Sequence, residues 1–180
     1  MQKRAAMDSP LRRARPGDGP ALVALLAELC AGDPRLAQEA VTAALRPGPR
    51  GHETWVLPGR GASPVHGVLA LEPSSQPGFR VGSVEWIAVA PEARRRGHGL
   101  ALLQLAQRRA RAVGWRQLHV STFHTNRPAL HLYIEAGFYP AATLHDYAGP
   151  GLHYVELVWP MPRRGRGGAA RRGSPAARTR

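Results

Sequence analysis

Apolar residues recur with two different periods along the chain, and the changes of period mark out the elements. Leu11 to Arg15 reads as a short strand. Pro16 and Asp18 then form a turn and a cap ahead of the apolar stretch Ala21 to Leu29, which predicts a first helix ending near Gly32. Asp33-Pro34 opens a second helical pattern through Leu36, Ala40, Val41 and Leu45, stopped by Pro47-Gly48-Pro49. The period then shortens. Glu53 to Leu57 and Val65 to Leu71 are β-branched and aromatic runs joined by a turn-rich segment, so they read as a hairpin, and Arg80 to Val89 follows as a third antiparallel strand. From Gly99 the helical period returns, with Leu100, Leu103, Ala106, Ala110 and Val113 on one stripe, Arg108, Arg109 and Arg111 mostly off it, and Gly114 as the stop. Gln117 to Thr122 reads as a strand, and Pro128 starts a helix through Leu130, Tyr133 and Ile134 that closes at Gly137. Phe138 to Leu144 and Leu152 to Trp159 form the last two strands around the turn at Gly149 to Gly151. The order β-α-α-β-β-β-α-β-α-β-β predicts a single α+β or mixed α/β domain.

Composition narrows this picture. With 180 residues, 43% of them hydrophobic, the chain has room for one core and hardly for two. No apolar run approaches the roughly 20 residues of a membrane-spanning helix, and Lys3 and Arg4 are followed by Asp8 and Pro10 instead of an apolar signal region, so a cytoplasmic protein is expected. Cys30 stands alone in an apolar run and reads as a small buried hydrophobe. The formal charge of +13 suggests nucleic acid until it is located: seven arginines after Met161 leave +6 for the rest (13 − 7 = 6). Residues 1–8 are read as a flexible N-terminus, 9–161 as the domain, and 162–180 as a disordered Arg/Gly-rich tail capable of non-specific polyanion contact. The histidines show no metal-ligand spacing, so no metal is expected.

The chemistry concentrates between Val84 and Leu103. An apolar strand runs through Pro91 into Arg94-Arg95-Arg96-Gly97-His98-Gly99 and directly into a helix. The first N–H groups of a helix have no internal acceptor, and the dipole adds positive charge, so such a turn forms an anion cradle. Gly97 and Gly99 permit close approach, and the three arginines add donors for phosphate. The alternative is an ordinary strand-to-helix turn with solvated arginines. No phosphate-binding Gly-x-x-x-x-Gly-Lys-Ser/Thr and no Gly-x-Gly-x-x-Gly is present.

Arg94-x-x-Gly97-x-Gly99 after the strand Val84 to Val89 resembles the acetyl-CoA pyrophosphate motif of the GNAT superfamily. Asn126-Arg127-Pro128-Ala129-Leu130-His131-Leu132-Tyr133-Ile134-Glu135-Ala136-Gly137-Phe138 resembles the later signature of the same family. The resemblance spans about Leu11 to Trp159 and implies a mixed, mostly antiparallel central sheet flanked by helices. It further implies an acetyl-CoA-dependent N-acetyltransferase that delivers acetyl directly to an amine acceptor, with no membrane partner and with room for a homodimer. By resemblance, Ile87, Ala88, Val89, Arg94, Arg95, Arg96, Gly97, His98, Gly99, Asn126 and Tyr133 contact the cofactor, with the Val89 N–H polarising the thioester carbonyl.

Glu85 is the implied general base, directly or through water, and Tyr133 the implied acid toward sulfur. Each has a plainer alternative. Simple alternation puts Glu85 with Ile87 and Val89 on a face expected to be buried, unless a bulge re-aims it. Tyr133 lies at helical spacing with Leu130 and Ile134 and would pack in the core. Asn126 caps its helix, contacts the cofactor, or both. Asp33, Glu39, Glu72 and Asp146 are acids available to attract a cationic amine, but no motif names the acceptor. A module of the same fold that binds acetyl-CoA without turnover is the competing function.

Overall fold

The computed structural model describes residues 11–30, 33–59, 64–76 and 78–161. The expected N-terminal segment, the tail and the helix stop at Gly32 lie outside these residues. The elements follow the predicted order: β1 (Arg12–Arg13), α1 (Gly19–Ala27), α2 (Pro34–Leu45), β2 (Glu53–Pro58), β3 (Val65–Pro73), β4 (Val81–Val89), α3 (His98–Val113), β5 (Gln117–Phe123), α4 (Arg127–Glu135), β6 (Tyr139–Leu144) and β7 (Tyr154–Pro160). They build one seven-stranded sheet in the order β1-β2-β3-β4-β5-β7-β6. All neighbours are antiparallel except β4 and β5.

Local chemistry explains the boundaries. The Asp33 side chain accepts from the N–H groups of Arg35 and Leu36, and Pro34 fixes the first helical φ of α2. Gly114 closes α3 at φ 89, a left-handed conformation that costs an L side chain about 1 kcal/mol or more. Asn126 caps α4 by accepting from the Ala129 N–H.

Two apolar layers sandwich the sheet. On one face α3 and α4 bury Leu69, Leu71, Val84, Leu102, Leu103, Leu118, Val120, Leu157 and Trp159. On the other, α1 and α2 cover Val56, Val65 and Val68, with Trp86 and Ala88 packed at their margin. The buried stripe of α3 is wider than its sequence predicts, since Leu102, Leu105 and Gln107 are buried while Leu100 is only half-buried. Arg109, expected to lie mostly off that stripe, is instead half-buried and grips Glu53 through two hydrogen bonds of 2.7 and 2.6 Å. Arg13 pairs with the same carboxylate at 2.7 Å and Trp55 donates to it at 3.0 Å. Burial would raise the Glu53 pKa, but these hydrogen bonds and positive charges outweigh it and hold the group below the usual carboxylate range.

Candidate active site

The parallel pair β4–β5 is short. It is registered only at Val81–Gln117, Gly82–Leu118 and Ser83–His119, after which the two strands part. A cavity of about 440 Å³ fills the gap, lined by Ser83 to Ile87 on one side and His119 to Phe123 on the other. Asn126, Ala129 and Tyr133 of the α4 region also line it.

Glu85 sits where β4 changes register. Leu71 pairs with Val84 and Ala70 with Trp86, so Glu85 is the extra residue of a β-bulge. The consequence is visible on both faces. Val84 packs on the α3 side before the bulge and Ile87 does so after it, a slip of one that simple alternation does not allow. The buried placement that alternation predicts for Glu85 is thereby removed, and its exposed side chain lines the cavity. The cavity walls still strip water from it, and Glu72 adds a like charge, so the Glu85 pKa is raised.

Hydrogen-bond phase defines what β4 offers beyond the bulge. The Ala90 N–H donates to the His66 carbonyl at 2.9 Å, and antiparallel ladders alternate, so Ala88 also faces β3 while Ile87 and Val89 turn their backbone polar groups to the edge that β5 has left. Ala88 therefore contributes no backbone donor to the cleft, whereas Ile87 and Val89 do. Arg94 folds back on this edge. Its Nε donates to the Val89 carbonyl at 2.9 Å and its Nη2 pairs with Glu28 at 2.5 Å, so its charge is committed away from the turn that was expected to use it.

The turn itself leaves backbone donors open at the start of α3. Arg95 at φ 60 and Gly97 at φ 79 both adopt left-handed backbone, and the Ala101 N–H to Gly97 carbonyl bond is the first of α3. The N–H groups of Gly99 and Leu100 thus have no acceptor within the helix. Arg95 and Arg96 are exposed and make no ion pair among the described residues. No acid lies in the first turn, where His98 is half-buried. Gly99 has a second reason to be glycine, because a Cβ there would meet Leu132 Cδ2 of α4 at 2.9 Å.

Tyr133 reaches the cavity from α4. It is 5% exposed, its ring lies 6.2 Å from that of Phe138, and its hydroxyl makes no hydrogen bond among the described residues. Burial pushes its pKa up to about 12. The ring packs in the core cluster, as its helical spacing predicts, and the residue also lines the cavity. Asn126 likewise caps α4 and donates from Nδ2 to Thr122 Oγ1 at 3.1 Å while lining the cavity.

Sequence reasoning did not find the opposite wall. His119 Nδ1 contacts Glu156 Oε1, and Phe123, Leu144, Tyr147 and Tyr154 line the cavity beside them. Only the β5–β7 register brings His119 and Glu156 together, and no local spacing signals it. Of the acids singled out for the acceptor, Asp33 is spent on capping, and Asp146 accepts from the Gly151 N–H at 2.7 Å and approaches His153 Nδ1 at 3.5 Å. Glu72 stands near Glu85, and Glu39 is exposed on α2 away from the cavity lining.

A parted parallel pair, a bulged carboxylate and a glycine turn at a helix start thus mark one edge of the sheet. The sequence profile of the acetyltransferase (GNAT) family matches residues 31–138, and the chain belongs to that family. A GCN5-related N-acetyltransferase from Kribbella flavida is 26% identical and superposes with a TM-score of 0.73 over 84% of this chain and 97% of its own. The Bacillus subtilis acetyltransferase in complex with CoA is 20% identical, with a TM-score of 0.67 over 86% and 100% of the two chains. The ribosomal-protein-S18-alanine N-acetyltransferase of Escherichia coli is 18% identical, with a TM-score of 0.68 over 88% and 97%. Nothing among curated protein sequences matches the chain.

Proposed function

We propose that the protein transfers an acetyl group from acetyl-CoA directly to a primary amine. The observation that carries this reading is the convergence of Glu85 and Tyr133 on one cavity, beside the backbone edge that β4 exposes. A diphosphate suits the start of α3, where Gly99 and Leu100 offer N–H groups and Arg95 and Arg96 offer exposed positive charge. The CoA complex of the Bacillus subtilis relative supports the same donor. When bound, the donor supplies a thioester carbon open to attack.

Residues of this chain would divide the work. An ammonium with a pKa near 10 has no lone pair, so Glu85 takes its proton directly or through water, and the raised pKa of Glu85 brings it closer to the operating pH of a base. As the C–N bond forms and the C–S bond breaks, the Val89 N–H faces the developing negative charge on oxygen. Tyr133 keeps its proton until about pH 12 and donates it, as a hydrogen bond or outright, to the departing sulfur, which leaves with the C–S electron pair. The products are an amide and a thiol. The C-terminal arginines serve, in the same proposal, as a separate polyanion contact.

The experiment is thiol release from acetyl-CoA over a panel of amines and peptides, run beside a calorimetric titration of acetyl-CoA. Turnover with at least one amine is expected. Tight acetyl-CoA binding with no thiol released by any acceptor would make the protein a binding module instead, and absence of binding would remove the donor.

A further inference from the structure

On the face away from α3 and α4, helices α1 and α2 cover the sheet only across its β1–β4 half. Leu118, Val120, Leu157 and Trp159 face the covered core, so alternation puts His119, Ser121, Phe123, Tyr154 and Glu156 on the open face. Three rings form a ladder there. Phe123 and Tyr154 meet edge to face with centroids 4.5 Å apart, and Tyr147 lies 5.0 Å from Tyr154. Leu29 and Leu144 extend this apolar rim, and Tyr147 is 66% exposed with no hydrogen bond among the described residues. Glu85 lines the same cavity and makes no ion pair among the described residues.

Charge along this wall is one-sided. Among the described residues no arginine or lysine lines the cavity, and the one imidazole among them, His119, is already engaged by Glu156. An acceptor bearing a carboxylate would bring a second acid beside Glu85 with no cation among the described lining residues to meet it. A polycationic sugar carries several ammonium groups, whereas Glu85 is the one carboxylate among the described lining residues. A single ammonium on an apolar ring finds a match at both ends: the carboxylate for the charge, the ring ladder for the body.

We infer that the acceptor is a small monoamine carried on an aromatic body and lacking a carboxylate, with its ammonium toward Glu85 and its ring against Tyr147 and Tyr154. This rests on the transferase reading above. The ammonium nitrogen gains the acetyl carbon and gives up two protons: one goes to Glu85 before attack, and the other replaces the proton that Tyr133 gives to sulfur as the C–S bond breaks and the thiol leaves.

The test compares 2-phenylethylamine with phenylalanine, which differ by one carboxylate, and adds kanamycin and a peptide beginning with alanine. Each is titrated calorimetrically into the full-length protein, alone and saturated with CoA, and assayed for thiol release with acetyl-CoA. The aromatic amine is expected to bind and to turn over about 100-fold better than phenylalanine. Tyr147→Ala should weaken its binding about tenfold and leave acetyl-CoA affinity as it was. Equal or tighter binding of phenylalanine, kanamycin or the peptide overturns the inference, as does unchanged amine affinity in Tyr147→Ala. If acetyl-CoA itself fails to bind, the transferase reading falls, and the amine titrations on the protein alone still decide the acceptor chemistry.

Discussion

Replacing Tyr133 by phenylalanine removes one oxygen and leaves the packed ring, so stability and activity should move in different directions. The hydroxyl is in a residue only 5% exposed and has no hydrogen bond within the described fold, so its loss should leave stability at pH 7 unchanged or raise it by up to about 1 kcal/mol. The alkaline range gives a larger number. Burial raises the Tyr133 pKa from 10.0 to about 12, so between these values the unfolded chain releases a proton that the folded chain keeps. Tyr133 therefore contributes fully below pH 10, and that contribution is lost as pH rises through 12, by about 3 kcal/mol for two pKa units. Urea unfolding of both proteins at pH 7, 10 and 11.5 isolates this term, because all other titrating groups cancel in the difference. The phenylalanine variant should gain on the wild type progressively above pH 10. In parallel, turnover should fall about 100- to 10,000-fold with acetyl-CoA affinity close to wild type. A loss of more than about 1 kcal/mol at pH 7 would mean that the hydroxyl has a partner in the fold. Near-normal turnover in the folded variant would mean that the phenol is packing and not an acid.

Glu85→Gln should depress activity most at neutral pH and recover part of it at alkaline pH, where the amine deprotonates unaided; a pH–rate profile parallel to wild type would put the base elsewhere. In the wild type, the raised Glu85 pKa should move the acid limb of kcat/KM above the ordinary carboxylate range, and a limb near pH 4 would contradict that. Gly97→Val forces a β-branched residue to φ 79 and should weaken CoA binding about tenfold or more in calorimetry; unchanged affinity in a folded variant would discard the turn as the phosphate site. Gly82→Ala would set a Cβ 2.2 Å from the Trp115 ring and should cost about 1–3 kcal/mol in chemical unfolding, whereas an unchanged midpoint would show that the indole moves freely. Glu53→Ala leaves Arg109 and Arg13 facing one another without their shared carboxylate, and because both arginines keep access to solvent it should cost about 1–3 kcal/mol by the same measurement, with a loss under about 0.5 kcal/mol refuting a structural role.

The order of elements was legible because each boundary carries its own chemistry: Asp33-Pro34 opens α2, Gly114 closes α3, and Asn126 caps α4. The two motifs singled out Glu85 and Tyr133, and the structure puts both on one cavity, although what aims Glu85 is the bulge opposite Ala70 and Leu71, a property of strand pairing that the run Val84 to Val89 does not carry alone. The partners of Arg94 were hidden for a related reason. Its neighbour Glu28 is 66 residues away in sequence, so a local reading counted its charge as available. The ring ladder of Phe123, Tyr154 and Tyr147 depends on β5 and β7 lying side by side with the β6–β7 turn folded over them, and none of that pairing is periodic.

The same pairing explains why there is a cleft at all. At one end β4 and β5 are pinned: Trp115 packs over Gly82, the Arg116 N–H donates to the Arg80 carbonyl at 2.5 Å, and the Met161 N–H donates to the Arg116 carbonyl at 2.8 Å. Two residues past the last paired position, Ser83, the bulge adds a residue and increases the local twist of β4. A strand turned in this way cannot keep its slanted bonds to a parallel neighbour, so β5 diverges and the N–H groups of Ile87 and Val89 lose their sheet partner. Buried backbone donors left in that state cost about 1–3 kcal/mol each unless water or a ligand accepts from them. Their need for an acceptor is what an acyl-CoA arm laid along β4 would supply, and the residue whose insertion parts the strands is Glu85, which then lines the opening it creates.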